Sequence, residues 1–246
     1  MPETVTGLIV ITALLGYLIG SVNFAVLVAR RHGVDILKAG SGNPGATNVK
    51  RVIGKGPGNL VFALDALKGA TGACMPLFVG YFHYLFIWTD PAADGPKLLM
   101  HHIFDLTHFP QFLFGESLFL AGVAGFGGAL LGHCFSCFLK FRGGKGVAST
   151  IGGLLVLLPV PILIGAALWV AAFLATRYVS VASLVLGLSL PLSCWLLPQF
   201  TSLSLGADRF WFAAAIAGFN VWTHRSNIGR LVRGEENRFT RKEPSA

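Results

Sequence analysis

The sequence predicts an all-α integral membrane protein, and three observations support that prediction. Hydrophobic residues make up 54% of the 246 residues and charged residues only 12%, roughly half the charged fraction of an ordinary soluble domain. The mean hydropathy is +0.67. Five stretches contain no Asp, Glu, Lys or Arg, and each is long enough to cross a bilayer: residues 4–29, 69–89, 117–139, 146–176 and 178–207.

A sixth apolar stretch, residues 210–223, is shorter and is flanked by charge. Only Glu3 is charged ahead of the first stretch, and the lack of a basic segment there argues against a cleavable signal peptide. Ala124, Gly128 and Gly132 recur every four residues in the third stretch. Such a face of small residues lets helices approach closely, so we expect the spans to form a packed bundle.

The distribution of charge predicts which loops face the cytoplasm. The loop of residues 30–55 holds six Lys or Arg against one Asp, the loop of residues 140–145 holds three, and the tail from residue 225 holds six against three Glu. The positive-inside rule places all three in the cytoplasm. The loop of residues 90–116 has one Lys and four acids, and it is predicted to lie outside.

These placements constrain the number of crossings, because a single helix over residues 146–176 would bring the basic tail outside. Pro159 and Pro161 bisect that stretch and can divide it into two short helices joined by an outer turn. The prediction is therefore one integral membrane domain over residues 1–246 with seven transmembrane helices, the N-terminus outside and the C-terminus cytoplasmic. Its outer loop covers about residues 89–117 and its tail residues 224–246. The short helices rise only ~20 Å, so we expect a thinned bilayer or loops that dip into it.

Nearly all of the informative polar chemistry lies in three segments, residues 40–51, 141–146 and 224–230. Each combines glycine with a cation, and the first and third add hydroxyl and amide side chains. Exposed backbone N–H groups and fixed positive charge both favour a phosphate dianion. The sequence therefore predicts a membrane enzyme that handles phosphorylated substrates.

Each segment also has a weaker interpretation. Residues 40–45 match the Gly-x-Gly-x-x-Gly dinucleotide pattern, but they follow a membrane span and not a strand. Residues 139–146 are not a Walker A loop, since they begin with Leu and end with Gly where Ser or Thr is required; they do precede a predicted helix, whose N-terminus favours an anion. Taken alone, each segment could supply topogenic charge, and the third could bind anionic lipid headgroups.

Together the three segments resemble one family. Residues 40–51 read Gly-Ser-Gly-Asn-Pro-Gly-Ala-Thr-Asn-Val-Lys-Arg, residues 132–148 follow Gly-His-x-Phe-x-x-Phe-Leu-x-Phe-x-Gly-Gly-Lys-Gly-Val-Ala, and residues 224–231 follow His-Arg-x-Asn-Ile-x-Arg-Leu. They occur in order along nearly the whole chain and look like the three motifs of the bacterial acyl-phosphate:glycerol-3-phosphate acyltransferases, the PlsY family. We call them motifs 1, 2 and 3. Lesser matches are Gly20-Ser21, Asp65-x-x-Lys68-Gly69 and Thr176-Arg-Tyr-Val-Ser180.

The resemblance implies a seven-helix enzyme of the bacterial inner membrane whose active site faces the cytoplasm. It implies transfer of a fatty acyl group from acyl phosphate to the 1-hydroxyl of glycerol 3-phosphate, giving lysophosphatidic acid and phosphate at the first step of phospholipid synthesis. No cofactor, metal or nucleic acid is expected; the partners are the two substrates, the bilayer and, as a candidate, the soluble enzyme that forms acyl phosphate. By motif position, the family's critical residues correspond to Ser41, Arg51, Lys145, His224 and Asn227. Substrate or phosphate binding is expected of neighbouring motif residues, namely Gly42, Asn43, Gly45, Thr47, Asn48, Gly143, Gly144, Gly146, Ser180 and Arg225.

The chain departs from the family pattern at four positions. Asn23 and Ser136 each replace a Pro, Ala25 replaces a Gly, and Arg142 replaces a Lys. These changes concern the shape of loops and not the reaction. The connection of residues 89–116 also looks longer than is usual for the family.

The proposed chemistry makes physical sense on its own. An acyl phosphate carries a good leaving group, so the protein mainly has to hold two phosphate-bearing substrates together and neutralise them. Arg51 can clamp a phosphate bidentately, and Lys145 offers a point charge beside loop amides. Ser41 could be a nucleophile, but no base adjacent in sequence activates it, which favours hydrogen bonding to phosphate or oxyanion. His224 could deprotonate the attacking hydroxyl, or orient it with Asn227 while a donor phosphate oxygen acts as base; we favour orientation.

Other polar residues have structural explanations. Asp65 and Lys68 lie three residues apart on one helical face, which predicts a structural ion pair. His133 is expected to buttress the phosphate loop or to cap its helix. The four cysteines, expected to pack within apolar spans, are Cys74, Cys134, Cys137 and Cys194. A polar cluster in the outer loop, expected to be solvated and not metal-bound, contains His101, His102, Asp105 and His108.

Two other classes of function compete with an enzyme. A membrane transporter of an organic phosphate also needs cations beside a polar cavity, but its polar groups should continue through the bilayer, and the last four spans offer few. A structural lipid-binding bundle does not require Ser and Asn in repeated glycine loops. No His-x-x-x-x-Asp pair occurs, which argues against soluble-headed acyltransferases that use such a dyad.

Overall fold

The computed structural model describes residues 3–79, 116–203 and 205–239, and these residues are helical apart from their connections. The principal helices are α1 (Glu3–Ser21), α2 (Phe24–Arg31), α3 (Ala46–Val52), α4 (Lys55–Ala73), α5 (Glu116–Cys134), α6 (Val147–Leu157), α7 (Pro159–Thr176), α8 (Val179–Phe200), α9 (Ala207–Thr223) and α10 (Arg225–Val232), with a 3₁₀ turn at Cys137–Leu139. The predicted all-α class is confirmed over these ranges. The chain divides into two compact units, Met1–Leu157 and Leu158–Ala246.

In the first unit, α1 and α5 lie with their backbones almost in contact. Gly16 and Gly20 of α1, and Gly128 and Gly132 of α5, each face the partner backbone so closely that a Cβ atom would clash. In three contacting pairs the residue numbers increase together along both helices, which shows that the helices run parallel: Thr12 with Ala121, Gly16 with Gly125 and Gly20 with Ala129. The predicted packing of Gly128 and Gly132 against another helix is therefore confirmed.

Helices α4 and α6 run antiparallel to α5. The contacts that show this are Gly72 with Gly125 and Asp65 with His133 for α4, and Gly153 with Phe126 and Gly146 with Leu130 for α6. Because α1 and α5 end where α4 and α6 begin, residues 40–51 and residues 141–146 lie at the same end of the unit. The sequence placed these two segments on one side of the membrane, and their position at one end of the unit agrees with that.

A small apolar cluster attaches motif 1 to α4. Its buried members come from α2, the following loop, α3 and α4, and they are Ala25, Val26, Ala29, Ile36, Val49 and Val61. Gly58 in the first turn of α4 lies so close to Lys50 of α3 that a Cβ atom would overlap it. The short helix α3 is therefore held on α4 by packing, not by its own length.

In the second unit, polar side chains connect consecutive helices. The Trp169 indole N–H of α7 donates to the Ser183 hydroxyl of α8 at 3.3 Å. The Asn220 amide of α9 donates to the Ser183 carbonyl at 3.1 Å. After α10 the tail returns to the turn between α7 and α8, where the Phe239 N–H donates to the Arg177 carbonyl at 3.0 Å. The start of α8, the end of α9 and the tail therefore meet at one end of this unit.

Two of the charge-free stretches do not coincide with single helices. Residues 4–29 are not one helix, because α1 ends at Ser21 and α2 begins at Phe24. The Asn23 side chain between them accepts the Val26 N–H at 3.0 Å and so caps a new helix. The span predicted from residue 69 begins earlier, since α4 starts at Lys55; residues 80–89 of that span lie outside the described residues.

The remaining boundaries follow from local chemistry. The stretch of residues 146–176 is broken as predicted, because α6 ends at Leu157 and α7 begins at Pro159, and proline suits the first helical position. The stretch of residues 117–139 stops being α-helical at Cys134, where motif 2 begins its loop. Helix α9 begins at Ala207, before the apolar residues that predicted it.

Three helical stretches are long and apolar enough to cross a membrane, namely Thr6–Arg31, Pro159–Thr176 and Val179–Phe200; Leu118–Cys134 and Val147–Leu157 are shorter apolar helices. Large apolar side chains are also exposed along these helices, including Leu14 at 61%, Leu163 at 59% and Trp195 at 58%. Such exposure is normal where lipid tails are the solvent. The count of seven spans and the orientation of the termini stay predictions.

The contact between α1 and α5 gives a prediction with a matched control one residue away. Gly128→Ala would place a methyl group into the α1 backbone, whereas a Cβ atom at Gly127 meets nothing within 4 Å. We expect Gly128→Ala to destabilise the protein by roughly 1–3 kcal/mol. Gly127→Ala should be neutral or slightly stabilising, because alanine favours helix. Thermal unfolding of the detergent-solubilised protein measures both, and equal melting temperatures would contradict the described packing.

Candidate active site

Motif 1 is a loop shaped from within by Asn48. This side chain is 1% exposed, and its amide donates to the Ala39 carbonyl at 2.9 Å and to the Ile36 carbonyl at 3.3 Å. Its oxygen accepts the Ser41 N–H at 2.9 Å and lies 3.5 Å from the Arg51 guanidinium. Asn48 therefore gathers Ser41 and Arg51 around one oxygen atom.

The other motif 1 residues surround the Asn48 side chain. Ser41 and Arg51 are exposed, and Asn43 and Thr47 are half-buried. The Gly45 N–H donates to the Asn43 carbonyl at 2.9 Å. The turn depends on two glycines with left-handed backbones, Gly40 at φ +61° and Gly42 at φ +69°, a conformation that other residues adopt at a cost. At Gly40 a Cβ atom would also collide with the Asn48 amide.

Motif 2 is a tight turn between α5 and α6. The buried Ser136 hydroxyl donates to the Ser21 carbonyl at 2.6 Å, which ties the turn to the end of α1. Lys140 and Phe141 both have left-handed backbones, at φ 53° and φ 58°. The chain then reaches Gly146, at φ +81°, and α6 begins at the next residue. The predicted opening of a helix directly after the glycine–lysine segment is confirmed.

Within this turn, Gly144 and Gly146 are buried, whereas Gly143 and Lys145 are half-buried. The Gly144 N–H donates to the His133 carbonyl at 3.1 Å. Lys145 thus lies between two anchored glycines, immediately ahead of the α6 N-terminus. Amides at a helix start and a neighbouring cation are suited to an anion.

Two departures from the family pattern make local hydrogen bonds. Asn23 caps α2, and Ser136 joins motif 2 to α1. Proline, which the resemblance described above implies at both positions, has a fixed φ and no N–H. In this chain hydrogen bonds take over the shaping of these turns, while Arg142 is exposed and pairs with Ser136 only through the backbone bridge.

Motif 3 begins where α9 ends. His224 is 3% exposed, and its Nδ1 lies 2.9 Å from the Asn220 carbonyl. A carbonyl only accepts, so this contact places a proton on Nδ1, and Nε2 is then the nitrogen that can accept a hydrogen bond when the ring is uncharged. Thr223 also approaches Nδ1, at 3.4 Å.

Asn227 is held by a residue that the sequence interpretation treated only as tail charge. The Asn227 amide donates to Glu236 Oε1 at 2.6 Å, and Arg230 Nε donates to Oε2 at 2.8 Å. The Glu236 side chain is only 7% exposed. Gly234, at φ +71°, turns the chain so that Glu236 can reach back to α10. The sequence signal that could have indicated a role for Glu236 was a pair of adjacent acids directly after a glycine in an otherwise basic tail.

The pKa of Glu236 reflects this environment. Partial burial raises the pKa, but the Asn227 amide, the nearby Ser180 hydroxyl and the Arg230 guanidinium with its charge lower it below the usual value for glutamate. The Ser180 hydroxyl is buried, and although it affects this carboxylate it completes no hydrogen bond of good geometry among the described residues. Glu236 is therefore an anion that orders Asn227 and Ser180 near each other.

Arg225, the first residue of α10, packs against the end of α9. Its guanidinium donates to the Trp222 carbonyl at 2.9 Å and stacks on the Trp222 ring at 4.4 Å. It is exposed, and these contacts are those of a side chain at the edge of the motif. The structure thus groups Ser41, Arg51 and Lys145 at one end of the first unit, and Ser180, His224 and Asn227 at one end of the second.

The predicted ion pair between Asp65 and Lys68 is confirmed, with Oδ1 and Nζ 3.0 Å apart and both side chains 2% exposed. Of the cysteines, Cys134 and Cys194 are buried as expected, but Cys137 is exposed because the helix ends before it. No group of three His, Cys, Asp or Glu could hold a metal within residues 3–79, 116–203 and 205–239. The polar cluster of residues 101–108 lies outside these ranges.

Sequence comparison identifies relatives over almost the whole chain. The family model described as glycerol-3-phosphate acyltransferase matches residues 10–234. A glycerol-3-phosphate acyltransferase of Thermus thermophilus is 39% identical over 231 residues, which are 93% of this chain and 94% of that protein. The enzyme of the same name from Desulforamulus reducens is 34% identical over 244 residues, 99% of this chain and 100% of that one.

Solved structures agree with this. Crystal structures of PlsY (YgiH), an integral membrane glycerol 3-phosphate acyltransferase, match in the glycerol 3-phosphate form with a TM-score of 0.68 and 33% identity, covering 94% of this chain and 96% of that one. The lysophosphatidic acid form matches with a TM-score of 0.67 and 31% identity, covering 94% and 95%. The resemblance read from the three motifs is confirmed: this chain belongs to the glycerol-3-phosphate acyltransferase family, with PlsY among its structural relatives.

Proposed function

We propose that this protein transfers a fatty acyl group from acyl phosphate to the 1-hydroxyl of glycerol 3-phosphate, giving lysophosphatidic acid and phosphate. The observation that carries the proposal is the placement of two anion-suited loops, motifs 1 and 2, at the same end of one packed unit. Membership of the family supports glycerol 3-phosphate as acceptor. The PlsY structure with lysophosphatidic acid supports the product.

The acyl phosphate donor is the finer part of the proposal. An acyl phosphate is a mixed anhydride, so its carbonyl is already activated and phosphate is a good leaving group. Catalysis then requires placement of two anionic substrates and neutralisation of their charge. Two separate cation-bearing glycine loops fit a reaction in which both substrates carry phosphate.

We assign the phosphate contacts to motifs 1 and 2. Arg51 clamps a phosphate bidentately, while Lys145 and the amides of residues 143–146 hold another. Ser41, exposed on a loop held by Asn48, donates a hydrogen bond to phosphate or oxyanion and does not form an acyl-enzyme. Asn48 contributes through the shape of the loop, since its amide is committed to backbone partners.

His224 and Asn227 orient the acceptor hydroxyl in this proposal. The basic Nε2 of His224 accepts from the hydroxyl, and a donor phosphate oxygen takes the proton as the acyl group moves. Glu236 holds Asn227 in place for this role. A transporter of an organic phosphate is the alternative, but no feature of the described residues favours it over the family's reaction.

We further propose the membrane arrangement predicted from charge. Seven spans place the N-terminus outside and the C-terminus inside, the active site faces the cytoplasm of a bacterial cell, and both compact units form one functional domain. That face would give access to glycerol 3-phosphate and to a soluble enzyme that supplies acyl phosphate.

Removing either phosphate-binding cation should abolish most of the activity. We expect Arg51→Ala and Lys145→Ala to fold and insert, yet to lose roughly 2–4 kcal/mol of transition-state stabilisation, on the order of 30- to 1,000-fold in kcat/KM. Lys38→Ala is the matched control, because it removes one positive charge from the same basic loop at a side chain that is 86% exposed. If Lys145→Ala retains more than about a third of kcat/KM, the glycine–lysine segment is not the phosphate site.

The donor is tested by supplying one acyl carrier at a time. Purified protein with acyl phosphate and radiolabelled glycerol 3-phosphate should form labelled lysophosphatidic acid without ATP and in the presence of EDTA, because the donor is already activated. Arg51→Ala serves as the inactive control. Equal or faster product formation with acyl-CoA alone would contradict the assigned donor.

The membrane arrangement is tested by labelling single cysteines in a variant without native cysteines. Cysteines placed at Lys55, Lys140 and Arg238, all exposed, should react with an impermeant maleimide only from the cytoplasmic side, and one at Ala93 only from outside. A cysteine near Val160 should not react from the cytoplasm. Reaction there would reject the seven-span arrangement.

A further inference from the structure

A buried histidine lies between an acidic residue of α4 and the glycine loop of motif 2. The His133 side chain is 4% exposed, and its Nδ1 is 3.5 Å from Asp65 Oδ1. On the other side of the ring, Nε2 lies so close to Gly144 that a Cβ atom there would collide with it. The imidazole thus fills the space between Asp65 and the loop.

The backbone of the same residue holds the loop as well. His133 lies in the last turn of α5, where carbonyl groups lack partners within the helix. Its carbonyl accepts the Gly144 N–H at 3.1 Å, and Gly143 packs against the carbonyl oxygens of His133 and Cys134. Position 133 therefore contacts the loop through both its main chain and its side chain.

Asp65 is itself fixed by a charge that reaches a third element. Lys68 Nζ lies 3.0 Å from Asp65 Oδ1 and donates to the Val22 carbonyl at 2.8 Å, between α1 and α2. It also lies 5.5 Å from the Phe24 ring centroid. The sequence of contacts runs from Val22 through Lys68, Asp65 and His133 to the motif 2 loop.

The buried polar atoms of Asp65 and His133 suit a positioning role better than a role of filling space. Neither Asp65 Oδ1 nor His133 Nδ1 completes a well-angled hydrogen bond among the described residues, although they face each other. Burying such groups costs free energy that an apolar residue of similar volume would avoid. Because Nδ1 lies 3.5 Å from the carboxylate and Nε2 abuts Gly144, the ring position depends on both the carboxylate and the loop.

We propose that His133 is a positioning residue, which Asp65 and Lys68 orient so that its ring sets the conformation of residues 143–146 for phosphate. This inference rests on the proposed function, because it takes that loop to be a phosphate site. His133 acts through the loop and does not touch substrate. It provides a reason for the identity of Asp65, Lys68 and His133 beyond a structural ion pair.

The test is a double-mutant comparison that uses the two glycines of the loop. In the full-length protein in nanodiscs, Gly144→Ala should raise the KM for glycerol 3-phosphate or for acyl phosphate ~10- to 100-fold, because the methyl group and the ring compete for one space. Adding His133→Ala removes the ring, so the KM should return to the value of His133→Ala alone. Such relief is non-additive and marks a direct coupling.

Gly143→Ala is the matched control, since its methyl group would meet backbone oxygens that His133→Ala leaves in place. Its KM defect should not be relieved by His133→Ala. Equal responses of the two glycine variants, or an unchanged KM in Gly144→Ala, would overturn the positioning role. If His133→Ala does not fold, His133→Asn replaces it, because the shorter side chain vacates the space beside Gly144 and keeps an N–H toward Asp65.

A parallel measurement on Lys145→Ala separates the positioning role of His133 from the assignment of residues 143–146 as a phosphate site. If Lys145→Ala loses activity while the two glycine variants respond alike, only the positioning role of His133 is rejected. If Lys145→Ala retains wild-type kcat/KM, the loop is not a phosphate site, and its assignment fails together with the positioning role of His133 while the acyl transfer itself stands.

Discussion

Close approach of helix backbones at glycine is the constraint on which the first unit depends. In a lipid environment, apolar side chains gain nothing from leaving the solvent, so helices associate through packing and hydrogen bonds. Glycines bring α5 against α1 on one face and against α4 on another. Each contact fixes a register, and the registers together bring the ends of α1 and α5 level with the starts of α4 and α6. Motifs 1 and 2 meet at one end as a consequence of that packing.

Each motif then uses an inward-facing polar residue to shape outward-facing ones. Asn48 holds Ser41 and Arg51 in motif 1. His133 plays the corresponding part for motif 2, and Glu236 holds Asn227 in motif 3. Loops need such partners because they have no ladder of backbone hydrogen bonds, and unsatisfied buried groups are costly. Placement of substrates, which the proposed reaction requires above all, is built from these contacts.

The sequence predicted the class, the motifs and the main helix break, because these depend on composition and on local chemistry. Charge-free stretches specify apolar helices, and Pro159 suits the first position of a helix, although Pro191 and Pro198 lie inside α8 without ending it. The roles of residues that depend on partners distant in sequence were harder to predict. Asp65 and Lys68 were predicted to pair with each other, but the reach of Lys68 to Val22 required the tertiary structure. The early start of α4 was missed for the same reason, since a hydropathy boundary ignores charges that neutralise each other.

Glu236 shows the limit most clearly. Read along the chain, it is one acid in a basic tail, and counting charge gives it no specific role. Its contacts with Asn227 and Arg230 arise only because Gly234 turns the tail back onto α10. A glycine followed by two acids marks a turn in the tail but does not indicate where the tail returns, and the resemblance to the family pointed to Asn227 without indicating what holds it.

The two buried carboxylates have a common physical logic. A site for two phosphorylated substrates must be positive, and a carboxylate facing it would repel what it binds. Asp65 and Glu236 each pair with a cation, Lys68 and Arg230, and each also faces a second polar side chain, His133 and Asn227. A carboxylate placed behind a hydrogen-bond donor fixes the direction of that donor, while its own charge is compensated by the neighbouring cation. Fixed negative charge can therefore orient groups beside an anion site without occupying it, which reconciles acidic residues next to the motifs with the proposed function, which depends on binding phosphate.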